Sequence, residues 1–150
     1  MKTELRRATG ADAAALLPLY LDLFREDAIL TPARDVAANL AVMLEDPRAA
    51  HWLIEEDGQV IALAAGSLTF GVEYGLSAEL EDLYVTPPAR GRGLARLLAH
   101  AVIDWARDQG ATDMVLVITP QAEAEQGLTA FYEKLGFGPS SRITLSRTTG

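Results

Sequence analysis

Between residues 79 and 118 the chain changes its period twice, and that change leaves few folds open. Glu79 to Val85 reads as a long strand, and Pro87-Pro88 stops it because proline cannot donate a ladder hydrogen bond. A turn rich in glycine and arginine leads into a helix expected over Arg92 to Gln109. Its apolar stripe is Leu94, Leu98, Ala101, Val102 and Trp105, with Gly110 at the stop. Met114 to Ile118 follows as an unbroken apolar run, the pattern of a strand covered on both faces. A strand, a crossover helix and a second strand predict a parallel pair.

The flanking segments alternate in the same way. Leu5 to Ala8 is expected as a short first strand. Asp12 to Glu26 repeats Leu16, Leu19 and Leu23 at helical spacing, and Thr31-Pro32 is expected to open a second helix reaching about Glu45. His51 to Glu56 and Gln59 to Ala65 flank Asp57-Gly58, a dipeptide suited to the positive φ values of a tight hairpin turn. A loop containing Gly71 and Gly75 precedes the long strand. A last helix is expected from about Glu125 to Leu135, with Phe137 folding back on Phe131 or Tyr132 past Gly136. Arg142 to Arg147 is expected to close the sheet. No repeat or linker divides the chain, so residues 1–150 read as one domain.

Composition narrows the function classes. The 150 residues contain no cysteine, which removes disulfides, thiolate zinc sites and a cysteine nucleophile. A net charge of −8 has the wrong sign for a broad nucleic-acid surface. No apolar run approaches the roughly 18 to 20 residues of a membrane span, and the first residues lack the core of a signal peptide. The expected location is the cytoplasm. His51 and His100 lie far apart with no carboxylate at metal-ligand spacing, so no metal is expected. Trp52 and Trp105 read as core, while Tyr74 is either a substrate-entrance residue or a surface aromatic.

Against this acidic background, residues 83–103 hold Arg90, Arg92 and Arg96 and no acid. The turn Arg90-Gly91-Arg92-Gly93 ends a strand and starts a helix. It therefore presents bare amides at the positive end of a helix dipole, where glycine lets a ligand oxygen come close. The arrangement suits a localised polyanion. It matches neither G-x-x-x-x-G-K-[ST] nor G-x-G-x-x-G, because position 96 is arginine.

Arg90-Gly91-Arg92-Gly93-Leu94-Ala95 is similar to the signature of the GNAT superfamily of acetyl-CoA-dependent N-acetyltransferases: Gln or Arg, two residues, Gly, one residue, then Gly or Ala. The likeness extends to the early helices, the Asp57-Gly58 hairpin, Leu83-Tyr84-Val85 and the late Ala130 to Phe137. It implies an α/β (α+β) fold with a mixed central sheet, N-terminal antiparallel strands, a parallel pair splayed at the cofactor cleft, and flanking helices. It also implies that acetyl-CoA lies along Leu83, Tyr84 and Val85, with its pyrophosphate on the amides of Gly91, Arg92, Gly93, Leu94 and Ala95 beside Arg90. The family often has asparagine near the start of the last helix; Glu125 stands there instead.

Tyr132 matches the family tyrosine that protonates the departing thiolate; the competing reading is a buried amphipathic aromatic. Glu79 and Glu81 share strand parity with Leu83 and Val85, whereas Asp82 is expected to point the other way. A glutamate on this strand could draw the proton from an incoming ammonium, whose deprotonation at pH 7 costs about 4.6 kcal/mol for a lysine-like amine. Direct attack in a ternary complex is the expected reaction, and the acidic body favours a cationic small-molecule amine such as an aminoglycoside, polyamine or amino-acid derivative. Residues 73–85 are similar to those of aminoglycoside N-acetyltransferases. A protein or peptide amine stays open, as does a non-catalytic CoA-binding sensor; a homodimer is among the oligomeric states allowed.

Overall fold

The computed structural model describes residues 2–150. Its sheet has five strands in chain order: β1 (Thr3–Arg7), β2 (Ala49–Glu56), β3 (Gln59–Gly71), β4 (Gly75–Val85) and β5 (Asp113–Val115). The first four are antiparallel, and β5 joins β4 in parallel through the crossover helix α3 (Leu94–Asp108). Asp57 and Gly58 take φ values of 51° and 83° at the β2–β3 turn, as a hairpin of this length requires.

Each sheet face buries its own cluster. Helices α1 (Ala13–Glu26) and α2 (Ala33–Glu45) cover one face, packing Leu16, Leu23, Val36 and Leu40 onto Leu53, Leu63 and Tyr84. Helix α3 covers the other, setting Leu94, Leu98 and Val102 against Ala62, Ala64, Leu80 and Val85. Trp52 and Trp105 meet edge to face at 5.9 Å beneath it. Two short helices, α4 (Pro120–Gln126) and α5 (Leu128–Glu133), carry Tyr132 into this second cluster.

Several expectations from local pattern are corrected. Asp12 belongs to a 3-10 turn, Gly10–Asp12, in which Thr9 and Asp12 cap each other's backbone, and α1 starts one residue later. Thr31 provides no side-chain cap for α2, which begins at Ala33. The loop at Gly71 and Gly75 is a tight hairpin, with β3 and β4 each longer than their apolar runs. The run Met114 to Ile118 is not covered on both faces: only Asp113–Val115 is strand, and Val115 and Val117 are 57% and 73% exposed. The expected last helix is broken at Gly127, which adopts φ 60°. Arg142 to Arg147 forms no strand. Its alternating Ile143 and Leu145 stay exposed, and Arg142 is engaged by Glu73 and the Tyr74 hydroxyl at the β3–β4 hairpin instead. A strand pattern needs a partner edge to become a strand.

One irregularity matters for chemistry. Ala65 pairs with Asp82 and Gly66 with Leu80, so Glu81 is an extra residue, a β-bulge in β4. The bulge resets side-chain parity. Through their partners Ser67, Ala65 and Leu63, the residues Glu79, Asp82 and Tyr84 share the face of α1 and α2, whereas Leu80, Leu83 and Val85 share the face of α3. The expectation that Glu79 stands with Leu83 and Val85, and Asp82 opposite, is thereby overturned.

Candidate active site

Strand β5 pairs with β4 only from Ser77–Asp113 to Glu79–Val115, and β4 runs on to Val85 paired with β3 but not with β5. Beside the edge that β5 leaves open is a cleft of about 300 Å³, lined by Leu83, Tyr84 and Val85 on β4, by Arg90, Gly91, Gly93, Leu94, Ala95 and Arg96 at the start of α3, and by Tyr132. A chain of main-chain groups thus leads from the strand edge to the helix start.

Gly91 and Gly93 take φ values of 80° and 79°, and a Cβ at either would meet nothing within 4 Å, so the turn faces open space. The first main-chain bond of α3 runs from Leu97 N–H to the Gly93 carbonyl at 3.2 Å. The amides ahead of it are therefore free of helical partners, the usual basis of anion binding at a helix N-terminus. Arg92, the remaining predicted contact, lies outside this cleft and forms an ion pair with Glu56. Arg90 also has internal duties: its guanidinium pairs with Glu26 at 2.9 Å and lies over the Tyr84 ring, and its Nε donates to the Val85 carbonyl. Only Arg96 of the three lacks an acidic partner among the described residues, so the local positive potential is smaller than the charge count of the segment suggests.

Tyr132 is buried against Phe131 and Phe137, the latter at 5.8 Å between ring centres. Phe137 N–H bonds the Tyr132 carbonyl, which realises the expected fold-back past Gly136. Burial, together with the charges of Asp27 and Asp82, pushes the phenol up to about 12, so it remains a protonated donor at neutral pH. Tyr132 also lines a second, smaller cavity of about 100 Å³ with Asp27, Glu81, Asp82 and Leu116.

The carboxylates sort unequally. Glu81, the bulged residue, is exposed and accepts from Ser67 Oγ at 2.7 Å. Glu79 is half-buried and lines none of these cavities; a hydrogen bond shared with Glu81, then burial, raises it to about 7. Asp27 and Asp82, neither expected as site residues, both face Tyr132 across the smaller cavity. Asp27 Oδ1 is buried without a partner among the described residues. Nothing in the local sequence pattern marked either: Asp27 lies just past the end of α1, and Asp82 was turned by the bulge. Glu125 lies on α4, bonded to Gln121. Tyr74 lines none of the described cavities and pairs with Arg142, which removes it from the cleft.

A mixed sheet whose parallel pair splays beside a glycine-built helix start, with a buried tyrosine at the opening, defines an N-acetyltransferase fold. The sequence profile of the acetyltransferase (GNAT) family matches residues 14–137, and the chain belongs to that family. It is 34% identical over 138 residues to the uncharacterized N-acetyltransferase YjgM of Escherichia coli (strain K12), covering 89% of this chain and 80% of that one. It is 32% identical over 148 residues to the aminoglycoside N(6')-acetyltransferase type 1 of Stenotrophomonas maltophilia, covering 95% and 91%. N-acetyltransferase 8 of Rattus norvegicus is also 32% identical, but the chain spans only 46% of that protein. The solved aminoglycoside N-acetyltransferase AAC(6')-Iy in complex with CoA shares the fold at a TM-score of 0.80 and 22% identity, covering 99% and 96% of the two chains. No helix among the described residues is long and apolar enough to cross a membrane.

Proposed function

We propose that residues 1–150 act as one catalytic unit that transfers the acetyl group of acetyl-CoA to a primary amine by direct attack in a ternary complex. The observation that carries this reading is the single cleft lined both by the glycine turn and helix start, Gly91, Gly93, Leu94 and Ala95, and by Tyr132. The pyrophosphate of the coenzyme takes those amides, with Arg96 supplying charge. Its pantetheine arm follows the edge of β4 that β5 leaves open at Leu83, Tyr84 and Val85, and the thioester reaches Tyr132. Arg90 braces the turn through Val85 and Glu26, and Arg92 ties it to β2 through Glu56.

The amine nitrogen attacks the thioester carbon, the C–S bond breaks, and the thiolate takes the Tyr132 proton. The phenol is restored by the proton that the new amide nitrogen sheds. Holding both reactants in one cleft makes the attack effectively intramolecular. The acceptor is a cationic small molecule, a reading supported by the Asp27 and Asp82 carboxylates beside Tyr132 and by the aminoglycoside acetyltransferase among the relatives. Acetyl-CoA is its cosubstrate, and the cytoplasm is its compartment.

The test follows free thiol after acetyl-CoA is mixed with a panel of amines. Release that depends on the amine supports the enzyme. Thermal stabilisation by CoA with no release from any amine would instead make the chain a CoA-binding sensor.

A further inference from the structure

Beneath the cleft, on the face covered by α1 and α2, three side chains far apart in sequence form one hydrogen-bonded line. Tyr20 Oη lies 3.2 Å from Asp82 Oδ2 and 2.7 Å from His51 Nε2. His51 is 1% exposed and Tyr20 4%, and His51 Nδ1 has no partner among the described residues. A buried polar atom left bare costs stability, so the line is a poor way merely to fill a core.

Asp82 lines two cavities. One, of about 100 Å³, holds Tyr132 and Asp27; the other, of about 200 Å³, holds Tyr20, His51, Asn39 and the apolar Phe24, Val36 and Leu40. Of the β4 carboxylates, Glu79 reaches neither cavity, and Glu81 reaches the first while tied to Ser67. Tyr20 has a single proton to donate. When His51 Nε2–H donates to the Tyr20 oxygen, that proton is aimed at Asp82 Oδ2, which leaves Oδ1 free to receive.

Resting on the acetyltransferase reading above, we propose that Asp82 takes the proton of the acceptor's ammonium group, and that Tyr20, held by His51, is the positioning residue that orients it. The N–H bond of the ammonium breaks, the proton goes to Asp82 Oδ1, and the neutral nitrogen attacks the thioester; solvent then removes the proton from Asp82. The groups facing Asp82 agree with this task. Burial, with Glu81 and Asp27 adding to it, raises Asp82 to about 6, against the lowering effect of the Tyr20 bond. A base poised just below neutral pH is ionised in use yet still holds a proton well. Burial and the charge of Arg7 lower His51 to about 4, which keeps its ring neutral.

The experiment compares Asp82→Asn, Tyr20→Phe, Glu79→Gln and Glu81→Gln by kcat/KM against pH, with acetyl-CoA affinity measured separately by calorimetry. Asp82→Asn is expected to lower kcat/KM at pH 7 by on the order of 10²-fold and to remove the acidic limb of the profile, with affinity for acetyl-CoA unchanged. Tyr20→Phe, which deletes one oxygen, is expected to move that limb to higher pH, because the carboxylate loses the donor that favours it. Both losses should shrink with a weakly basic amine that is already neutral at pH 7. The glutamine variants are expected to keep the limb. A wild-type profile retained by Asp82→Asn, or a limb lost in Glu79→Gln alone, overturns the assignment while leaving the acetyltransferase reading intact. No thiol release from the wild-type protein with any amine overturns both. Nitrogen NMR of His51 gives a readout independent of turnover: a neutral ring protonated at Nε2 is expected, and an Nε2 lone pair accepting from Tyr20 at pH 7 would remove the orienting role.

Discussion

Tyr132 shows how one residue can be legible by type and still depend on its surroundings. The phenol is useful only if its proton stays on until a thiolate forms, and burial beside two carboxylates secures that by raising it to about 12. Tyr132→Phe is expected to lower kcat by about 10²-fold while leaving acetyl-CoA affinity within a factor of two or so, since only a donor is lost; parallel kinetics and calorimetry check it. Glu79 makes a stability prediction. Its folded value of about 7 stands above the ordinary 4.5, so its favourable contribution is complete below about pH 4.5 and is lost as pH rises through 7. Glu79→Gln does not titrate. Urea midpoints are therefore expected to show the variant gaining on the wild type between pH 4.5 and 7 and levelling off above, and a pH-independent difference would contradict the placement of Glu79.

At the scale of elements, the helices read most easily because their apolar stripes repeat over many residues. The 3.6-residue period of Leu94, Leu98 and Val102 needs no knowledge of the partner to announce a buried face. The strands read less well. Met114 to Ile118 carries the composition of a central strand but lies at the sheet edge, and Ile143 and Leu145 alternate without finding an edge to join. The packing of α3 supplies a further test. Gly66 is buried opposite Leu80, and a Cβ there would lie 2.6 Å from Val102 Cγ1 and 3.2 Å from Trp105. Gly66→Ala is expected to push α3 off the sheet and to cost about 1 to 3 kcal/mol, readable from denaturant unfolding. An unchanged midpoint would show that the helix sits further out.

For the whole molecule, the cofactor is expected to link the two sides of the cleft and so to stabilise the fold. At a hundred times its dissociation constant a ligand contributes about 2.7 kcal/mol, which for a chain of this size raises Tm by about 5 to 10 °C. Gly93→Val is expected to abolish that rise, because a branched side chain at φ 79° strains the turn and occupies the space over the amides. A full shift in the variant would place the coenzyme elsewhere.

The sequence by itself determined the order of elements through the parallel crossover and singled out the glycine turn and Tyr132 as candidates, because each rests on residues close together in the chain. Only the tertiary structure decided which carboxylates face the cleft and which arginines are already paired. The bulge at Glu81 reverses side-chain parity without altering composition, and Tyr20, His51 and Asp82 meet only when α1, β2 and β4 pack. A strand's period is written locally, but the partner register that fixes its faces is set by hydrogen bonds to residues far away in the chain.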